Sequence, residues 1–157
     1  MSTFESQNIS YYDKVFYYHQ SRLRHALKEI VKYESFDELM FDYLKVISKG
    51  HPWRQEWLNH MLKDERRHYS WLKAHYQHLT GYPLQVDAPT FSTPSSIEQG
   101  LKDMHFRKIK IIRWYTILWY MYNPSNERDT LQLFIWDEQT HLSIISGLMF
   151  DVLSEDK

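Results

Sequence analysis

Asp64-Glu65-Arg66-Arg67-His68 and Asp137-Glu138-Gln139-Thr140-His141 are two copies of one pattern, D-E-x-x-H. On a helix, residues three apart share a face. Each copy therefore aims one carboxylate and one imidazole the same way. Those groups bind first-row metals, iron among them. A single E-x-x-H is a weak signal, because Glu and His fall three apart by chance in many helices. Two copies, each at the middle of a long amphipathic stretch, point to one shared site.

The flanks of both copies are helical. Around the first, Leu58, Met61, Glu65, His68, Leu72, His75 and Leu79 recur at three or four residues, which predicts a helix from about Trp53 to Thr80 ended by Gly81 and Pro83. Around the second, Leu131, Phe134, Glu138, His141, Ile145 and Leu148 do the same, and the chain is expected to fray after Asp151. In both, the Glu and His lie on the apolar face, where burial without partners costs several kcal/mol.

Two further helices complete the pattern. Ser95-Ser96-Ile97-Glu98 fits a capping box and opens a stripe of Leu101, Met104, Lys108, Ile111, Tyr115, Leu118 and Tyr122. Lys108 alone breaks its apolar rule. Asn123-Pro124-Ser125-Asn126 is a tight turn. At the other end, residues 1–9 are expected to be a disordered tail. A stripe from about Ser10 then takes Tyr12, Val15, Phe16, His19, Leu23, Ala26, Leu27 and Ile30. Near Ser35 it changes sides to Phe36, Met40, Tyr43 and Ile47, and Ser35-Phe36-Asp37-Glu38 fits a second capping box. A kink, a bulge or a fresh helix start is expected there. Gly50 and Pro52 separate this element from the next.

Loop lengths set the topology. The first and last connections are short, so each joins an antiparallel hairpin. The middle one, residues 81–96, reaches roughly 50 Å when extended, and a 28-residue helix is about 42 Å long. It can run the whole bundle. The expectation is an all-α fold, an antiparallel four-helix bundle with one long crossover between helices two and three plus an N-terminal helical extension, in a single domain over residues 10–150. Tyr43 precedes Glu65 by nearly the interval at which Tyr115 precedes Glu138, so the chain reads as one helix hairpin used twice.

Composition narrows the function classes. The 157 residues include 4 Gly and 5 Pro, are 43% hydrophobic and carry a net charge of −1. Bulk electrostatics favour neither nucleic acid nor an anionic membrane. There is no cysteine, which excludes disulfides, thiolate zinc sites, iron–sulfur clusters and a rubredoxin-type centre. No signal peptide is visible at the start, and no apolar run approaches the ~18 residues of a membrane span. A cytoplasmic location is expected. The 17% aromatic content fits a core packed with rings.

At this point the sequence resembles the ferritin-like superfamily, especially rubrerythrin-type and small bacterial ferritin-like proteins, over roughly residues 18–150. The segment Asp64 to Tyr69, with His78-Leu79-Thr80-Gly81, and the segment Asp137 to His141 carry the resemblance. It implies a bundle core holding two iron or manganese ions. The implied ligands are a Glu from helix one, E-x-x-H from helix two, a Glu from helix three and E-x-x-H from helix four. Glu65, His68, Glu138 and His141 match their positions. The other two depart. Counting seven back from Tyr115 gives Lys108 where the family has Glu. In helix one, counting back from Tyr43 gives Phe36, and a register counted from Phe41 gives Glu34. The apolar stripe after Ser35 favours Phe36.

Lys108 weighs most on function. A dimetal site neutralises about four positive charges with carboxylates, and a lysine adds one more. The expectation is that its ammonium replaces the metal cations and pairs with Glu65 and Glu138. That makes the chain a non-catalytic structural or interaction protein with an incomplete site. The alternative is an iron- or manganese-binding oxidase or peroxide-reducing protein of rubrerythrin type, dependent on an electron donor protein. His75 is expected to be a satisfied core histidine. His19, His25, His51, His60, His78 and His105 show no metal spacing with the site. Tyr43 and Tyr115 read as core fillers. The aromatics Tyr11, Tyr12, Phe16, Tyr17 and Tyr18 exceed what one helix face can bury, which points to docking on the bundle or to a homodimer contact.

Overall fold

A computed structural model describes residues 11–155. Four helices make up the described chain: α1 (Tyr11–Ile47), α2 (Pro52–Thr80), α3 (Ile97–Tyr120) and α4 (Asn126–Glu155), with no strand among the described residues. Their ends follow from local chemistry. Pro52 opens α2, where its missing N–H costs nothing. Gly81 closes it in the left-handed region, φ 76°, and its N–H donates to the Gln77 carbonyl. At the start of α3 the Ser96 hydroxyl accepts from the Gln99 N–H. Glu127 and Asp129 lie in the first turn of α4, where the helix dipole favours negative charge.

Side-chain pairs fix how neighbouring helices run. Glu38 meets Arg66 and the Lys45 carbonyl meets Gln55, so α1 and α2 are antiparallel. Glu34 meets Tyr115 and Asp37 meets Arg107, so α1 and α3 are too. Lys108 meets Glu138 and Arg128 stacks on Trp119, which makes α3 and α4 antiparallel. Arg54 meets Asp151 and His68 meets Asp137, which does the same for α2 and α4.

The core is two apolar layers. One gathers Leu27, Ile30, Leu72, Ile111, Leu118 and Leu131; the other gathers Phe41, Leu44, Leu58, Met61, Met104 and Ile145. Between them in every helix lies a band of buried polar residues: Glu34 and Asp37, Glu65 and His68, Lys108, and Glu138 and His141.

α1 differs from the sequence expectation. It passes through Ser35 as one continuous helix, so the expected fresh start is not there. The Ser35 hydroxyl donates back to the Lys32 carbonyl instead of capping a new helix. The buried series is Leu27, Ile30, Glu34, Asp37, Phe41 and Leu44, a single helical stripe. Phe36 and Tyr43 lie beside it against Phe91, and Ile47 is exposed. The apparent change of side arose because two buried acids interrupt the apolar residues. At the N-terminal end, Val15, Phe16, Tyr17 and Tyr18 are 48–70% exposed and do not dock on the bundle. The side chains of Tyr11 and Tyr12, and the tail expected over residues 1–9, lie outside the described residues.

α4 also runs on past Asp151, to Glu155. Arg54, 4% exposed, explains the extension. Its Nε donates to Asp151 at 2.6 Å and its Nη2 lies 2.8 Å from Glu155. Charged hydrogen bonds are worth about 1.5–3 kcal/mol, and these are discounted because both acids are half-exposed. Arg54→Ala is expected to lower the unfolding free energy by about 1–2 kcal/mol and to speed amide exchange selectively in the last turn of α4. Unchanged exchange there would show that the helix end holds without Arg54.

Candidate metal centre

Seven side chains with no exposed surface form the polar band: Glu34, Asp37, Glu65, His68, Lys108, Glu138 and His141. The four residues of the two E-x-x-H copies come together, as their spacing predicts. The structure also decides the helix-one register. Glu34 is at the site, and Phe36 is one face away, under the Arg107 guanidinium at 4.0 Å. The preference for Phe36 is therefore corrected. The apolar stripe misleads here because the buried positions of this stretch, Glu34 and Asp37, are carboxylates. Asp37 was missed for the same reason. It falls three residues after Glu34, the spacing that marks the site on α2 and α4, and that signal was legible.

The first residue of each D-E-x-x-H has a reciprocal task. His68 Nε2 lies 2.8 Å from Asp137 Oδ2, and His141 Nε2 lies 2.9 Å from Asp64 Oδ2. Each aspartate thus orients the histidine of the other copy. Arg67 Nη2 closes the exchange, 3.0 Å from Asp64 and 2.7 Å from Asp137. With Nε2 engaged, each imidazole turns Nδ1 inward. His68 Nδ1 stands 3.2 Å from both Glu34 Oε1 and Glu138 Oε1. His141 Nδ1 stands 3.2 Å from Glu65 Oε1.

Lys108 enters the centre from α3. Its Nζ contacts Glu65 Oε1 directly and lies 2.8 Å from Glu138 Oε2 and 3.1 Å from Asp37 Oδ2. The Phe41 ring lies 5.2 Å from it. Asp37 is shared with Arg107, whose Nε donates to its Oδ1 at 2.6 Å. Tyr115, from the same helix as Lys108, donates to Glu34 Oε1 at 2.5 Å.

The charges distribute by environment. Burial disfavours the Lys108 ammonium, but Glu138, Glu65 and Asp37 outweigh it and hold its pKa well above the ordinary value. Burial would also push Glu138 up, yet Lys108 and the two histidines bring it well below the usual range. Glu65 goes the other way: burial, then the charges of Glu138 and Glu34, push it well up. Both histidines, opposed by burial, are driven well above the ordinary value, His68 by Glu34 and Asp137, His141 by Asp64 and Glu138.

The donor set fits a metal ion in one part of the band. Glu34, Glu65, His68 and Glu138 each offer a ligand atom, all within 4.8 Å of one another. Glu34 Oε2 and Glu65 Oε2 are buried without a hydrogen-bond partner, and buried orphan oxygens call for a cation or a donor. His141, expected as a fourth match, is not in this group. It faces the Lys108 side. Outside the band, His75 is held by the Tyr122 hydroxyl and stacked on Trp71 at 4.7 Å. It is a satisfied histidine, not a ligand.

No family model and no curated protein matches the sequence.

Two outcomes follow from the geometry. Lys108→Met leaves three acids, Asp37, Glu65 and Glu138, without their shared cation, and removing one partner of a buried ion pair costs about 3–5 kcal/mol. The substitution is expected to lower the melting temperature sharply. An unchanged melting temperature would show that Nζ is not at the centre. The second concerns pH. Both histidine pKa values are raised on folding, so their stabilisation is complete below the unfolded value of about 6.5. It is lost as pH rises through the folded values. The metal-free chain is expected to lose stability above about pH 6.5, measured by urea unfolding, with a smaller slope in His141→Gln. A slope unaffected by that variant would remove His141 from the charge balance.

Proposed function

We propose that this chain is a ferritin-like bundle of rubrerythrin type whose dinuclear centre is incomplete, and that it works as a non-catalytic structural or interaction protein. The observation that carries this is the Lys108 ammonium between Asp37, Glu65 and Glu138. It stands where the resemblance places a carboxylate ligand. Two divalent ions need about four negative charges around them, and a fixed ammonium among the same acids repels the second ion.

Topology supports the family reading. Because each neighbouring pair is antiparallel, α2 and α3 point the same way. Residues 81–96 connect the end of one to the start of the other. Leu84 on that connection packs in one apolar layer and Phe91 against the other. A crossover along the bundle, as in the ferritin-like arrangement, accounts for both placements. The interaction role draws on the exposed Val15, Phe16, Tyr17 and Tyr18 of α1, with Tyr120 74% exposed on α3. Val15 and Tyr18 line one shallow groove with Ile117 and Tyr120. A contact between two copies of the chain would cover such a patch. The lack of cysteine fits a cytoplasmic setting, and the charge balance gives no reason to expect nucleic acid or membrane as partner.

A second reading, an iron- or manganese-dependent oxidase or peroxide-reducing protein fed by an electron donor protein, is favoured by one observation: the cluster of Glu34, Glu65, His68 and Glu138. A bound redox metal would supply electron transfer to oxygen or peroxide. The chain's part would be to hold the ion and, through Asp137, to orient His68.

The separating experiment is anaerobic Fe(II) reconstitution followed by metal analysis and exposure to oxygen. Fewer than two irons per chain and no oxygen-dependent iron oxidation are expected. Lys108→Glu is expected to raise the iron content. Two irons per wild-type chain with rapid oxidation would overturn the non-catalytic reading.

A further inference from the structure

We infer that the band retains one half of a metal centre as a working site: a single divalent first-row ion held by Glu34, Glu65, His68 and Glu138, with the Lys108 ammonium as its permanent neighbour. This rests on the reading above, in which Lys108 takes the second position.

The oxygen atoms divide cleanly between the two cations. Lys108 engages Glu65 Oε1 and Glu138 Oε2. That leaves Glu65 Oε2, which has no partner, and Glu138 Oε1, which faces His68 Nδ1 at 3.2 Å. Tyr115 takes Glu34 Oε1, leaving Glu34 Oε2 without a partner. Glu34, Glu65 and Glu138 thus each offer an oxygen near the inward imidazole nitrogen, the four ligand atoms lying within 4.8 Å of one another. The imidazole is already oriented, because Asp137 holds its other nitrogen. Glu65 and Glu138 would serve both cations, since each already contacts the ammonium.

Charge sets the number of ions. Glu34, Glu65 and Glu138 supply three negative charges once binding expels the protons held on the ligands, that on His68 Nδ1 included. Lys108 and one divalent ion supply three positive ones. Asp37 is balanced separately by Arg107, and His141 by Asp64. A second divalent ion would leave two uncompensated positive charges in a site with no exposed surface, which low-dielectric surroundings penalise heavily. Three carboxylates and one imidazole are hard to borderline donors, which suit Mn(II) or Fe(II) over Cu(I).

The test is a titration of the chelator-stripped full chain with Mn(II), free ion being followed by electron paramagnetic resonance. About one Mn(II) per chain is expected, with one imidazole nitrogen coupled to the bound ion in the pulsed spectrum. Glu34→Gln is expected to weaken binding by at least about tenfold. The nitrogen count comes from the wild-type chain, so it decides the matter even where that variant does not fold. No bound Mn(II) on a folded chain would overturn the single-ion site and leave the Lys108 reading standing. Two Mn(II) per chain, or two coupled nitrogens, would overturn both.

Discussion

Four carboxylates in the middle of an apolar bundle must be matched by positive charge, and that constraint organises the molecule. Glu34, Asp37, Glu65 and Glu138 have no exposed surface. Left alone they would repel one another across a low-dielectric interior, and each would cost several kcal/mol. Lys108 answers from α3, Arg107 from the rim, and two histidines, whose pKa values the neighbouring acids raise well above the ordinary value, from α2 and α4. Every helix contributes to this balance. The polar band therefore sets the helix register as well as the chemistry, since moving any one helix by a residue would bury an acid without its partner.

The same band ties α2 to α4. Asp64 holds His141 and Asp137 holds His68, with Arg67 joining the two aspartates. The pairing is reciprocal because the same pattern occurs on two antiparallel helices: what lies one residue before each Glu on one helix faces the His of the other. A pattern duplicated in sequence thus becomes a near-symmetric pair in space. Arg54, bonded to Asp151 and Glu155, continues that seam to the far end.

Fold class and the central four residues were legible because their spacing repeats cleanly. Glu65, His68, Glu138 and His141 sit on strong apolar stripes, where a polar residue stands out as an exception. Lys108 stood out for the same reason. Helix one was harder. Between Val31 and Met40 the only fully buried side chains are Glu34 and Asp37, so an apolar stripe vanishes there and the eye transfers to Phe36. Tertiary partners decide such a stretch: Tyr115 and His68 for Glu34, Lys108 and Arg107 for Asp37. The same holds for the end of α4, where Arg54, nearly a hundred residues away in sequence, pairs with Asp151 and Glu155. Long-range ion pairs leave no local periodicity to read.

Relative to the carboxylate that the ferritin-like resemblance places there, a lysine at position 108 changes the charge of the centre by two, from one negative to one positive. That is the charge of one divalent cation. In a bundle of the kind the resemblance implies, that one residue would lower the number of divalent ions needed for charge balance from two to one. It also changes what the fold depends on. A metal can be lost to a chelator or to acid, whereas an ammonium on α3 is part of the chain and present whenever the chain is. The aliphatic stem of Lys108 crosses the apolar face of its helix between Met104 and Ile111, both fully buried, as such side chains do when the charged head has a destination. The centre thus carries one cation that is covalently guaranteed, held among Asp37, Glu65 and Glu138.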